Sequence, residues 1–85
     1  MKILTTKTEK IEIERDIKLP FYCKSEYHSY KIESETKAIQ VFTPTYTGPS
    51  ISSVLPGTAF TQEWDEITES EFETILQETL AKILN

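Results

Sequence analysis

Residues 68–84, TESEFETILQETLAKIL, decide the fold class, because no other stretch of the 85-residue chain carries so complete a local grammar. Thr68 in an N-cap position with Glu71 three residues on is a capping box, in which each side chain takes up a backbone N–H left free at the helix start. Ile67 and Phe72 fit the apolar pair of a hydrophobic staple. Phe72, Ile75, Leu76, Leu80, Ile83 and Leu84 recur at three and four, which lays one apolar stripe along a 3.6-residue period. Glu69, Glu71 and Glu73 sit at the positive end of the helix dipole and Lys82 at the negative end. The spacing predicts an amphipathic helix over 68–84. Such a helix is marginal alone in water, so its stripe requires a partner surface.

That surface is offered upstream, where apolar residues alternate with period two, as in half-buried strands. Ile11, Ile13, Ile17, Leu19, Phe21 and Cys23 are odd-numbered, His28, Tyr30 and Ile32 even, and Ile39 and Val41 odd again. Two hairpins account for both switches. Pairing Cys23 with His28 across 24–27, and Glu33 with Thr36 across 34–35, puts Leu19, Phe21, Cys23, His28, Tyr30, Ile32, Ile39 and Val41 on one face. Hydrophobic pattern fixes register, since a slip of one residue would turn the whole set to the other side. Ile3 and Leu4 suggest a first strand, and Pro20 an edge or bulge. Residues 43–53, TPTYTGPSISS, read as an exposed loop. Ile51, Val54 and Leu55 suggest one more short strand. The expected fold is a single α+β domain over 1–85. It has a meander-like antiparallel sheet of four to five strands, lying within 1–43 and about 51–62, and one C-terminal amphipathic helix on one face.

Composition narrows the function. With 38% hydrophobic and 11% aromatic residues the chain has enough apolar material for a core. The net charge of −5 is uneven: residues 1–40 sum to +1, whereas 41–85 hold Lys82 against seven acids and sum to −6. One arginine, Arg15, and an acidic C-terminal block disfavour bulk polyanion binding, which rests on many Lys and Arg contacts. A single cysteine excludes an intrachain disulfide and a four-cysteine zinc site. No apolar run has the length of a signal sequence or a membrane span, so a cytoplasmic location is expected.

Cys23 and His28 are the one pair resembling a nucleophile and its base. Both fall on the expected core face, away from the exposed, electropositive setting a reactive thiol needs, and no third group orients the base. They read as a buried thiol beside a satisfied histidine. Cys23, His28 and Glu26 supply at most three metal ligands at no familiar zinc spacing. Two glycines cannot build a phosphate loop, and the acidic block lacks the oxygen pattern of a calcium loop. No catalytic residue, metal or cofactor is therefore assigned.

The same registers leave Tyr22, Tyr27, Lys31 and Phe42 on the face opposite the helix, with Tyr46 in the loop that follows. Either the 43–64 segment folds over this face, through the loop carrying Tyr46 or through Phe60 and Trp64, or the face is exposed, and exposed aromatic patches mark contacts between proteins. The expected function is that of a non-enzymatic accessory or protein-interaction domain, self-associating or with another protein, acting through this face or through a strand edge. The alternative is a stacking platform for single-stranded nucleic acid, with lysines for the phosphates, although no ribonucleoprotein motif is present.

Overall fold

Ala38–Phe42, with its neighbours, shows how this sequence makes a sheet buried on both sides. The computed structural model describes residues 1–8, 11–44, 48–61 and 63–84, with backbone alone over 4–8 and 11–15. Lys2–Thr8 (β1) and Ile11–Asp16 (β2) form a separate two-stranded antiparallel sheet. Phe21–Lys24 (β3), His28–Ile32 (β4), Ala38–Phe42 (β5) and Ser50–Val54 (β6) follow as an antiparallel meander. Asp65–Glu66 (β7) joins the outer side of β3, giving a five-stranded sheet in the order β6-β5-β4-β3-β7. The chain ends in the helix Glu69–Leu84 (α1). The fold is α+β with a C-terminal helix, as the sequence led us to expect.

The extended segment expected over 51–62 is shorter than that. It stops at Val54, and Pro56–Phe60 forms a 3₁₀ turn whose first residue has no N–H to leave unbonded. Ser50 to Ser53, assigned to the loop by composition, lie in β6. Nor do residues 11–23 make one continuous row, because the chain turns between Asp16 and Phe21 through a cis Leu19–Pro20 bond.

Both expected hairpin registers are corrected. Between β3 and β4 the partners are Phe21 with Ile32 and Cys23 with Tyr30, a shift of two that preserves the facing. The loop is tighter than anticipated, with the Ser25 N–H donating to the His28 carbonyl at 2.8 Å. Between β4 and β5 the partners are Ile32 with Ala38, Tyr30 with Gln40 and His28 with Phe42, an odd shift that turns β5 over. Its cause is local: the N–H groups of Glu33 and Ser34 both donate to the Lys37 carbonyl, at 3.0 and 3.2 Å. Two residues oppose one, as in a bulge, and the extra residue inverts everything downstream.

Two cores result. On one side Phe21, Cys23, Tyr30, Ile32 and Ala38 are covered by Ile3 and Ile17 at the base of the β1–β2 hairpin and by Ala59 of the 3₁₀ turn. Trp64 closes this side edge-on to Phe21 at 5.6 Å and to Phe60 at 5.2 Å. On the other side Tyr22, Val41, Ile67 and Phe72 form the helix-facing cluster, joined by Ile39, Ile51, Ile75 and Leu76. The helix therefore packs on the face opposite the Cys23 row, contrary to expectation. Both faces of β3 to β5 are apolar, so alternation alone could not say which the helix would take.

The helix start follows its sequence signature. The Glu71 N–H donates to Thr68 Oγ1 at 3.1 Å, and the Thr68 N–H to Glu71 Oε1 at 3.4 Å. Ile67 and Phe72 lie in the same buried cluster. Thr79, buried in the stripe, satisfies its hydroxyl by donating to the Ile75 carbonyl at 2.8 Å. Tyr22 meets Phe72 at a ring separation of 5.6 Å, a contact typically worth about 0.5–1.5 kcal/mol beyond area burial. In denaturant titrations a Tyr22→Ala/Phe72→Ala double-mutant cycle should show coupling of that size. The losses from Phe21→Ala and Phe72→Ala, on opposite faces, should add within about 0.5 kcal/mol. The reverse pattern would place the helix on the wrong side of the sheet.

Candidate interaction surface

The register in β5 moves Phe42 away from Tyr22, Tyr27 and Lys31, and the helix packs on the side that keeps these three. Tyr22 and Lys31 are cross-strand partners on the helix side, where Tyr22 is buried and the Lys31 ammonium stands 6.0 Å from its ring centre. That is the outer limit of a cation–π contact. Tyr27, 37% exposed in the β3–β4 loop, lines a cleft of about 330 Å³ with Lys24, Glu78, Thr79 and Lys82. Phe42 is on the opposite side, its ring stacked on His28 at 4.6 Å and 21°. Its strand partner is His28, not Tyr27. Tyr46 lies outside the described residues. No single aromatic platform is assembled.

Cys23 and His28 are not cross-strand partners either. Cys23 faces Tyr30, and the His28 ring is occupied by Phe42 and, at 6.0 Å, by Tyr30. The thiol is fully buried, and burial, helped by the negative charge of Glu66, pushes its pKa up to about 12. Burial raises Tyr30 as well, with Cys23 adding to the effect. A thiol in this state supplies essentially no thiolate at neutral pH. Among the described residues no group of three or more His, Cys, Asp or Glu side chains converges as metal ligands would.

The sheet edges hold what the side chains do not. The Thr43 N–H donates to the Tyr27 carbonyl at 2.8 Å, so the odd-numbered residues of β5 bond towards β4. Its even residues then bond towards β6, through Ser50, Ser52 and Val54. It follows that Ile51 and Ser53 direct their N–H and C=O groups away from the sheet. Among the described residues nothing takes them up. β6 reads Ser-Ile-Ser-Ser-Val, with Pro49 before it and Pro56 beyond its end. Edge strands are commonly protected by lysine, proline, a bulge or brevity, and β6 has none of these within its span. The opposite edge contrasts with it: β7 is two residues long and both are acidic.

The backbone donors of Ile51 and Ser53 leave no side-chain signature, so a search for aromatic and charged residues passes over them. The available signal was an uncharged serine-rich segment with alternating Ile51 and no interior proline. No protein-family model, curated protein or solved structure matches this chain. No helix among the described residues is long and apolar enough to cross a membrane.

The Cys23 environment yields a direct test. Folded protein holds the thiol proton to about pH 12, whereas the unfolded chain releases it near the usual 9.0. The associated stability is therefore intact below pH 9 and is lost as pH rises towards 12. Denaturation midpoints should fall above pH 9, and Cys23→Ala should remove part of that fall; Tyr30, shifted in the same direction, retains the rest. At neutral pH a thiol reagent should label Cys23 at the rate of unfolding, and rapid labelling of the native protein would contradict its burial.

Proposed function

We propose that this chain is a non-enzymatic protein-interaction domain of the cytoplasm that binds an extended segment along the free edge of β6. The observation that carries this reading is the outward pair Ile51 and Ser53 on an uncharged strand, whose main-chain groups no described residue takes up. Main-chain hydrogen bonds to an added strand supply affinity in this mode, and side chains alternating across the edge supply selectivity. Here Ser50, Ser52 and Val54 lie on the Cys23 side of the sheet and Ile51 and Ser53 on the helix side, by their register with β5. Ile51, partly buried, packs against the helix cluster.

Two further features support an interaction role over catalysis. The thiol is buried and held protonated, and the histidine ring is committed to aromatic stacking. The platform that a nucleic-acid reading required has two of its members, Tyr22 and Lys31, on the helix side and Phe42 on the other. We therefore retain the protein-interaction reading alone.

Ser53→Pro tests it. Proline at an outward-facing edge position removes the free N–H while leaving the bonds between β5 and β6 in place. A display panel of extended heptapeptides should yield binders to the wild-type protein whose affinity drops at least tenfold on Ser53→Pro, with the far-ultraviolet circular dichroism unchanged. Binders indifferent to the substitution, or no binders to a chain that is monomeric under the conditions of the assay, would remove the edge from consideration.

A further inference from the structure

We infer that the segment taken up at this edge is a second copy of the chain, β6 lying antiparallel to β6 about a two-fold axis through Ser52. The inference rests on the edge reading given above and specifies its occupant. Two five-stranded sheets would then run on as a single sheet.

Hydrogen bonding makes the edge self-complementary. In an antiparallel pair centred on Ser52, Ile51 of each copy stands opposite Ser53 of the other. Both are outward-facing residues, so each such pair is of the hydrogen-bonded kind and exchanges two N–H to C=O bonds. Every free main-chain group of the two residues is used. A register displaced by one residue would set outward groups against inward ones and lose the ladder.

The side chains permit this approach. Ser52 meets its own copy at the axis, where small exposed side chains do not obstruct close pairing. Ser50 comes opposite Val54, and Leu55, 70% exposed just past the strand, comes opposite Pro49 of the second copy. The two-fold places this apolar contact at both ends of the ladder.

Charge decides in favour of weak rather than forbidden association. Each copy carries −5, but β6 itself is uncharged. The acidic pair Asp65 and Glu66 lies on the far edge, four strand spacings away in the order β6-β5-β4-β3-β7. At about 4.8 Å per spacing that distance exceeds the Debye length of about 8 Å in physiological salt. A ladder of five residues buries less than the roughly 1,200 Å² of a standard stable interface, so the dimer should be reversible and concentration-dependent. Salt should tighten it by screening the repulsion between like-charged copies.

Sedimentation of the full chain over a wide concentration range tests the inference. The expected result is a monomer–dimer equilibrium that strengthens as salt is raised. Ser52→Lys and Ser52→Glu should each weaken it by up to about fivefold by setting like charges face to face at the axis, and an equimolar mixture of the two should restore it. Ser52→Cys should give a disulfide-linked dimer on mild oxidation, because residues opposite each other in a non-hydrogen-bonded pair have Cα atoms about 4.5 Å apart, within disulfide range. The native Cys23 is buried and stays out of this reaction. Circular dichroism confirms that each variant is folded. A wild-type chain that remains monomeric to millimolar concentration with no Ser52→Cys dimer overturns the inference, as does a dimer indifferent to Ser52→Lys. If peptide binding is nevertheless lost on Ser53→Pro, the edge is correctly identified and its occupant is a different protein. If peptide binding is absent too, the edge reading itself has failed.

Discussion

Burial of β3, β4 and β5 on both faces is the constraint on which the rest of this structure depends. Phe21, Tyr22 and Cys23 are consecutive and all buried, which a strand in a one-sided sheet cannot achieve. Each face must then be covered by a different part of the chain. The helix takes the Tyr22 and Val41 side, and the hairpin base, the 3₁₀ turn and Trp64 take the Cys23 side. The arrangement turns on the loop at 33–37, where the Lys37 carbonyl receives two N–H groups. Without that extra residue Ile39 and Val41 would leave the helix, and Ala38 would no longer sit against Ile32.

Covering two faces does not cover two edges. At one margin the chain protects itself by placing the short acidic β7 beside β3 as it returns towards the helix. The same return fixes the helix start, since the Ile67 N–H donates to the Tyr22 carbonyl at 3.0 Å before the Thr68 cap begins. At the other margin the chain leaves β6 for the 3₁₀ turn and does not come back along it. The helix stripe also outlasts the sheet, with Leu84 82% exposed at its end. Coverage is thus asymmetric, and among the described residues nothing takes up the outward backbone groups of Ile51 and Ser53 at the uncharged margin.

Local features of this fold were legible in the sequence and relational ones were not. The helix could be read because its cap, staple, stripe and terminal charges all lie within eighteen consecutive residues, 67–84, and agree with one another. The parity of β3 against β4 could be read because Phe21, Cys23, Tyr30 and Ile32 are all apolar. The parity of β5 could not, because Ala38 and Ile39 are both acceptable in a core and the bulged carbonyl at Lys37 has no residue signature. That single ambiguity set Phe42 beside Tyr22, Tyr27 and Lys31 and put the helix on the side away from them. The strand edge was only half legible. Ile51 and Val54 suggested a strand, but the outward direction of its N–H groups depends on the register with β5.

β6 is bonded on one side only and directs the main-chain groups of Ile51 and Ser53 outward, and this joins stability to binding. Among the described residues β6 has neither a fully buried side chain nor a second strand neighbour; Ile51 and Val54 are only partly buried. A strand bonded on one side with little apolar burial belongs to the low-stability end of a domain and opens locally before the core does. An added strand gives it a second ladder, and that gain is available only when β6 is already formed. A ligand bound at the edge would therefore be linked to the ordering of β6 and would stabilise the folded form with the logarithm of the ratio of its concentration to its dissociation constant. In so small a domain, where the net stability is a narrow difference between large terms, that linkage gives the free edge a consequence for the whole fold.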